Sequence, residues 1–375
     1  MRSWIMRVRP SAFERHGRRP LLVSACLSVA VSIGLVACAS SGSSSPQGSG
    51  AASTAAQTIP ITIQNYAPSI PLNSDTYVSQ MMVRYSQQFF AGSGLQPTFQ
   101  PLSISGFIPV VASSRGTVFL GSGLNDIVSL VGKNEPLIDV NVGSLGSSFA
   151  LMVNKSITSV SDLRGKTIGV PDPVSAGAAQ LYAALAKLGL PKGSYQVATV
   201  GSGTSAITAA LRGSIAGFVL APPVTVIAQQ QGLTELMQLK SYVPTFVSSL
   251  DLVNTNWAAS NHEALVRLLE VTIRTTDYLV DPANKAKVLQ LIQNYIPTSP
   301  LSQAQTLDFY NEFSNSTFLP VTASASPAQF TTTLNILQLA DAISDADVAQ
   351  SKFLDWSYLK DALRALGMTV PSYLS

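Results

Sequence analysis

From Ile61 to Leu220, short apolar runs alternate with stretches whose apolar residues recur every three or four positions, and turns rich in glycine and serine separate the two patterns. The short runs Ile61-Thr62-Ile63, Val118-Phe119-Leu120, Phe149 to Val153, Thr167 to Val170, Val197 to Val200 and Phe218-Val219-Leu220 read as strands. The longer pattern predicts a helix over about 75–90 and another after Gly123, with Leu124, Ile127, Val128 and Val131 on one face. A third carries Leu181, Leu185 and Leu188 and stops at Gly189, and a fourth runs through Ile207 and Leu211. Strand, turn and helix in repeated succession predict an α/β fold with mostly parallel sheets.

The N-terminus follows a different rule. Arg2, Arg7, Arg9, Arg15, Arg18 and Arg19 precede an apolar stretch from Leu21 to Ala37, which closes on Leu35-Val36-Ala37-Cys38. A basic region, a short apolar region and small residues at the cut are the parts of an export signal. The cysteine makes it a lipoprotein signal, so residues 1–37 are expected to be removed and Cys38 to carry lipid. A spanning helix needs about 20 apolar residues, and the stretch falls short of that. Val23-Ser24-Ala25-Cys26 fits the same pattern loosely, but cleavage there leaves almost no apolar region. Residues 38–59 are low in complexity, rich in Ser and Gly and free of aromatic side chains, and read as a tether. The expected location is the periplasm or cell surface, with the chain held to the membrane through lipidated Cys38.

Removing the signal changes the charge balance. Six of the 23 Lys and Arg and one of the 20 Asp and Glu precede Cys38, which leaves 17 against 19 and a formal net charge of −2. The basicity belongs to the signal, so nucleic-acid binding has no electrostatic support. Charged residues make up only 11% of the chain, well below the usual quarter. A surface poor in ions suits an acidic exterior, where carboxylates titrate.

Rare residues exclude several chemistries. From Cys38 onward the chain keeps one histidine, His262, and one cysteine, Cys38 itself. An internal disulfide, a Cys/His zinc cluster and a cysteine nucleophile are thereby ruled out. His262 lies in Ser260-Asn261-His262-Glu263-Ala264, a helix start with Asn or Ser as cap, and reads as a solvated surface residue. No Gly-x-Ser-x-Gly elbow, P-loop or His-Glu-x-x-His occurs. Covalent and metal catalysis are thereby disfavoured, and no cofactor is expected.

Ser122, Ser175 and Ser202 each stand in a strand-to-helix turn beside glycine. Helix N-termini present unpaired N–H groups and partial positive charge, so such turns can hold an anion beyond the carboxyl ends of strands. The same residues also serve as ordinary caps and turn formers, and the pattern alone leaves both readings open.

Ser161-Asp162-Leu163-Arg164-Gly165-Lys166-Thr167-Ile168-Gly169-Val170-Pro171 resembles a segment of the solute-binding proteins of ABC importers for nitrate, taurine, alkanesulfonates and thiamine-precursor pyrimidines. Leu185 to Leu190, Ala209-Ala210-Leu211-Arg212-Gly213, Pro222-Pro223, and Asp355-Trp356-Ser357-Tyr358-Leu359 fall in the order that family shows. Thr255-Asn256-Trp257 through Leu269 resembles its return strand and following helix. The resemblance covers most of residues 60–375, and Asp-Leu-Arg-Gly-Lys is its sharp motif.

What the resemblance implies is a two-lobed periplasmic-binding-protein-like fold of type II, with mixed sheets flanked by helices and two crossing strands as hinge. One lobe would join 60–153 with 251–375, the other would be 154–250, and Phe149 to Val153 and Val247 to Val253 would be the crossings. The ligand-binding positions carried over are Tyr66, Ser69, Gly121, Ser122, Ser147, Ser175, Gly177, Gly201, Ser202 and Pro222. None is charged. Thr117 and Ala216 stand near places where the family pattern has an aspartate after a glycine, so the ligand chemistry does not transfer directly.

The implied function is capture of a small organic solute, a sulfonate, taurine or nitrate-like anion, between the lobes. The alternative ligand is a flat pyrimidine-like heterocycle, stacked by Tyr66 or Phe119 and contacted by Asp126 or Asp172. The implied partners are that small molecule, an ABC permease and ATPase complex, and the membrane through the N-terminal lipid, with the protein a monomer. A ligand-sensing lipoprotein and an enzyme on the same fold are the other classes.

Overall fold

The computed structural model describes residues 58–66, 77–102, 107–113, 117–131, 133, 135–201, 203–293, 301–344 and 348–374. Residues 1–37, Cys38 and most of the expected tether lie outside them, as do Ser69 and Ser202.

The first half of the chain runs β1 (Ile59–Tyr66), α1 (Tyr77–Arg84), α2 (Ser86–Phe90), β2 (Leu95–Leu102), α3 (Phe107–Ser113), β3 (Thr117–Ser122), α4 (Leu124–Val131) and β4 (Leu137–Leu145). It continues through β5 (Ala150–Val153), β6 (Thr167–Val170), α5 (Ala176–Lys187), β7 (Gln196–Thr199), α6 (Thr204–Leu211), β8 (Gly217–Leu220), α7 (Val224–Gln230) and β9 (Thr234–Gln238). The remainder is β10 (Val247–Asn254) and then helices: α8 (Thr255–Ser260), α9 (His262–Val280), α10 (Lys285–Gln293), α11 (Gln303–Phe313), α12 (Pro327–Leu339) and α13 (Ser357–Ala365).

Two five-stranded sheets result, in the orders β2-β1-β3-β10-β4 and β7-β6-β8-β5-β9. Each is mixed. β10 is antiparallel to β3 and β4, and β5 is antiparallel to β8 and β9, while the other pairings are parallel. The expectation of mostly parallel sheets therefore gives way to an equal mixture, because the strand by which the chain arrives from the other sheet, β5 or β10, pairs antiparallel on both sides.

The chain passes from the first sheet to the second through residues 146–149 and back through 239–246. These two connections run side by side. Gly146 N donates to Phe246 O at 2.7 Å and Leu239 N to Phe149 O at 2.9 Å, and Ser248 Oγ donates to Gly146 O.

One apolar core brings Phe119, Val142 and Leu250 of the first sheet together with Leu151, Ile168 and Val219 of the second, and with Phe330 and Leu334 of α12. A second lies under α1, α9 and α11 and contains Ile63, Tyr77, Met81, Leu268 and Phe313. A third packs Met152 and Phe218 against Ile207 of α6.

The helices follow local signals. α5 is rich in alanine, the best helix former. Its N-cap Ser175 accepts from Ala178 N, and Gly189 ends it in the left-handed region at φ +78°. α9 begins at His262 as expected, but Asn261 makes no side-chain cap and instead donates to Trp257 O at 2.9 Å. Thr255-Asn256-Trp257 forms the start of α8 rather than a return strand, because Asn254 Oδ1 caps Asn256 N and Trp257 N. The single helix expected over 75–90 is broken at Tyr85 into α1 and α2. Among the described residues, no helix is long and apolar enough to cross a membrane.

Candidate functional site

A cavity of about 490 Å³ opens between the second sheet and α11. Its floor is Phe149 and Ala150, where the chain enters β5. One wall is Pro222, Thr225 and Gln229 at the β8–α7 turn and on α7, together with Glu235 and Gln238 of β9. The opposite wall is Asp308, Phe309, Glu312 and Phe313 of α11. Lys240 Nζ reaches across to Glu312 Oε1 at 2.9 Å, joining the two walls. Burial pushes the Glu235 carboxyl up from its ordinary range and the nearby Glu312 adds to this, while Gln238 and Lys240 oppose it.

A second polar cluster lies beneath the end of β3. Gly121 N donates to Asp251 Oδ1 at 3.1 Å, and Ser122 Oγ lies 3.2 Å from both Asp139 Oδ1 and Leu250 O. Asp139 and Asp251 are buried, and Asp139 Oδ2 has no hydrogen-bond partner. Burial raises Asp251 to about 7, against the pull of Asn141 and the Gly121 N–H. Burial also lifts Asp139 well above the carboxylate range against the Ser122 bond, and Asp251 and Asp126 push the same way. At the start of α4, Asp126 Oδ2 accepts from Gly123 N at 3.1 Å. Burial brings Asp126 to about 6, and Asp172 contributes from the other sheet's side.

Thus the first turn of α4 holds its own carboxylate, and the turn before α5 holds another. Asp126 sits on the Gly123 N–H, while Asp172 Oδ1 accepts from Val174 N at 2.9 Å in the turn leading to Ser175. Donors and dipole that would attract an external anion are partly met from within the chain.

The sequence-predicted positions separate accordingly. Pro222 lines the large cavity, and its bond to Pro223 is cis. Ser147 Oγ accepts from Phe149 N at 3.3 Å and so supports the cavity floor. Gly177 lies behind that floor: a Cβ there would meet Phe149 Cε1 at 2.9 Å. Ser175 Oγ is spent on the helix, accepting from Ala178 N and donating to Asp172 O.

Gly121 and Ser122 close β3 rather than forming a strand-to-helix turn, and the Ser122 hydroxyl is buried among internal partners. Gly201 is an exposed turn glycine at φ +68°. Tyr66 ends β1 opposite Leu102. Phe119 is a fully buried core residue. His262 stands away from the cavity, with Nε2 3.2 Å from Asp361 Oδ2 and its ring 5.0 Å from that of Tyr358. Glu235, Asp308, Glu312 and Lys240 were not expected as site residues. They come from β9, the turn after it and α11, and no local motif joins positions 72 residues apart.

Two mixed sheets, flanked by helices and joined by two adjacent connections, are the architecture of the periplasmic binding proteins. The chain resembles the ligand-binding component of an ABC-type import system from Staphylococcus aureus (13% identity, TM-score 0.65, 81% of this chain and 99% of that one). It also resembles the alkanesulfonate-binding protein SsuA from Xanthomonas axonopodis pv. citri (14%, 0.60, 80% and 99%). The desulfurization enzyme DSZB shares the fold too (14%, 0.56, 82% and 99%). Residues 76–286 match the model of the NMT1/THI5 like family, and the chain belongs to that family. No protein with a curated description matches it.

Proposed function

We propose that the chain is an extracytoplasmic receptor that captures a small organic solute between two lobes and delivers it to an ABC permease and its ATPase, held at the membrane by lipid on Cys38. The cavity of about 490 Å³ carries this reading, since it lies between the second sheet and α11, a helix of the first sheet's core, and has the size of a small-molecule site. The lobes are the two sheets with their helices, close to the division 60–153 plus 251–375 against 154–250. The paired connections at 146–149 and 239–246 are the hinge about which they close. Family membership supports the role, and fold alone does not, because an enzyme shares it.

A receptor is favoured over an enzyme because the one histidine after Cys38 pairs with Asp361 away from the cavity. A sulfonate, taurine or nitrate-like anion is the first ligand class that the resemblance suggests. A flat nitrogenous heterocycle is the second, with a carboxylate accepting from its ring or amino N–H groups.

Thermal unfolding of the chain against taurine, alkanesulfonates, nitrate and aminopyrimidines tests the reading. A ligand at a hundredfold excess over Kd stabilises the fold by about 2.7 kcal/mol, so one class is expected to raise Tm clearly. A flat response to every class removes these ligands as the cargo.

A further inference from the structure

We propose that the solute in this cavity carries a positive charge: an amine, amidine or quaternary ammonium group on a small organic body, held between Glu235 and Asp308 and against the Phe149 and Phe309 rings. This deepens the receptor reading and rests on it. Three carboxylates line the cavity, Glu235 from β9 and Asp308 and Glu312 from α11. Lys240 is the one basic residue among the described lining residues, and its ammonium is engaged by Glu312 at 2.9 Å. With that pair cancelled, Glu235 and Asp308 leave a formal charge of −2 on the lining.

An anion placed there meets like charge from two directions and finds no unengaged lysine or arginine among the described lining residues. A cation gains both carboxylates, and charge-assisted hydrogen bonds are the stronger kind. Phe149, Phe309 and Phe313 line the same space, and an aromatic face attracts a cation electrostatically within about 6 Å of its centroid. The lining supplies acceptors and rings together, the combination that recognises an organic cation rather than a neutral solute.

The start of α11 does not offset this. Ser302 and Gln305 form a reciprocal cap at the start of α11, with Gln305 Oε1 accepting from Ser302 N at 2.9 Å, so that end of the helix already has its acceptor.

Isothermal titration calorimetry on the chain decides the matter, with three probe sets of similar size. The cations are phenethylamine, agmatine and choline; the neutral set is 2-phenylethanol, glycerol and uracil; the anions are benzenesulfonate, methanesulfonate and nitrate. Binding is expected in the cationic set alone, weakening at least tenfold in Glu235→Gln and in Asp308→Asn and weakening with added salt. Both substitutions keep the side-chain shape on half-buried or exposed positions, and circular dichroism verifies that each variant folds. Binding confined to the neutral or anionic set, or cation binding indifferent to both substitutions, overturns the charge assignment and leaves the receptor standing. Silence from all nine probes in a cooperatively folded chain removes the receptor reading itself.

Discussion

Gly177 shows how one missing side chain shapes the cavity. It lies in the first turn of α5, where an added Cβ would stand 2.9 Å from Phe149 Cε1 and 3.1 Å from Cδ1. Real Cβ atoms do not approach that closely, so the ring must move, and the direction open to it is the cavity it already lines. The helix itself gains from alanine, by about 0.5–1 kcal/mol relative to glycine. Gly177→Ala is therefore expected to leave Tm within a few degrees of the parent while weakening the best-binding probe several-fold, read by calorimetry. Unchanged affinity would place Phe149 outside the contact. Ser175, two residues earlier, separates stability from binding in the other direction. Its hydroxyl accepts from Ala178 N at 3.3 Å, and loss of such a cap typically costs about 1 kcal/mol. Ser175→Ala should lower the stability measured by chemical denaturation by that amount and leave probe affinity unaltered.

Among the elements, α12 ties the molecule together. Phe330 and Leu334, both buried, belong to the core that contains strands of both sheets, and the Phe330 ring lies 6.1 Å from those of Phe353 and Trp356. Leu334→Ala removes buried methyl groups from that shared core, and such truncations cost about 2–5 kcal/mol. Chemical denaturation of this variant should show one transition displaced to lower denaturant; a second, separate transition would mean that the sheets unfold independently. Elements like β6 and β8 were legible in sequence because their short apolar runs are buried on both faces. β2 was not, since Pro97 and Pro101, with Gln96, Thr98 and Gln100 between its apolar residues, give a composition that only an edge strand tolerates. β4 was hidden by Asp139, Asn141 and Ser144, buried polar residues that break the apolar run although the strand is interior to the fold. The cavity was legible only at Pro222. Its charged walls depend on β9 meeting α11, a long-range contact that no spacing in the chain encodes.

At the scale of the whole molecule, the buried acids set the conditions under which the fold is most stable. Asp126, Asp139 and Asp251 lie in or beside the first sheet, and the charges acting on them are one another's and that of Asp172. Burial takes Asp126 from an ordinary 3.8 to about 6 and Asp251 to about 7, and Asp139 stands well above the carboxylate range. The native chain therefore binds protons that the unfolded chain has already released between about pH 4 and 7. Stability falls with rising pH wherever the native state holds more protons. The contribution of these acids is complete below about pH 4 and is lost as pH rises through 6 and 7. Raising a carboxyl's titration point by one pH unit corresponds to about 1.4 kcal/mol, so Asp126 and Asp251 together are worth several kcal/mol. Tm is accordingly expected to be several degrees higher at pH 5 than at pH 8 at fixed ionic strength. Asp251→Asn, which keeps the acceptor for the Gly121 N–H and cannot ionise, should flatten part of the decline between about pH 4 and 7. A Tm that holds level or rises from pH 5 to 8 would show these carboxyls to be ionised and compensated in the native chain.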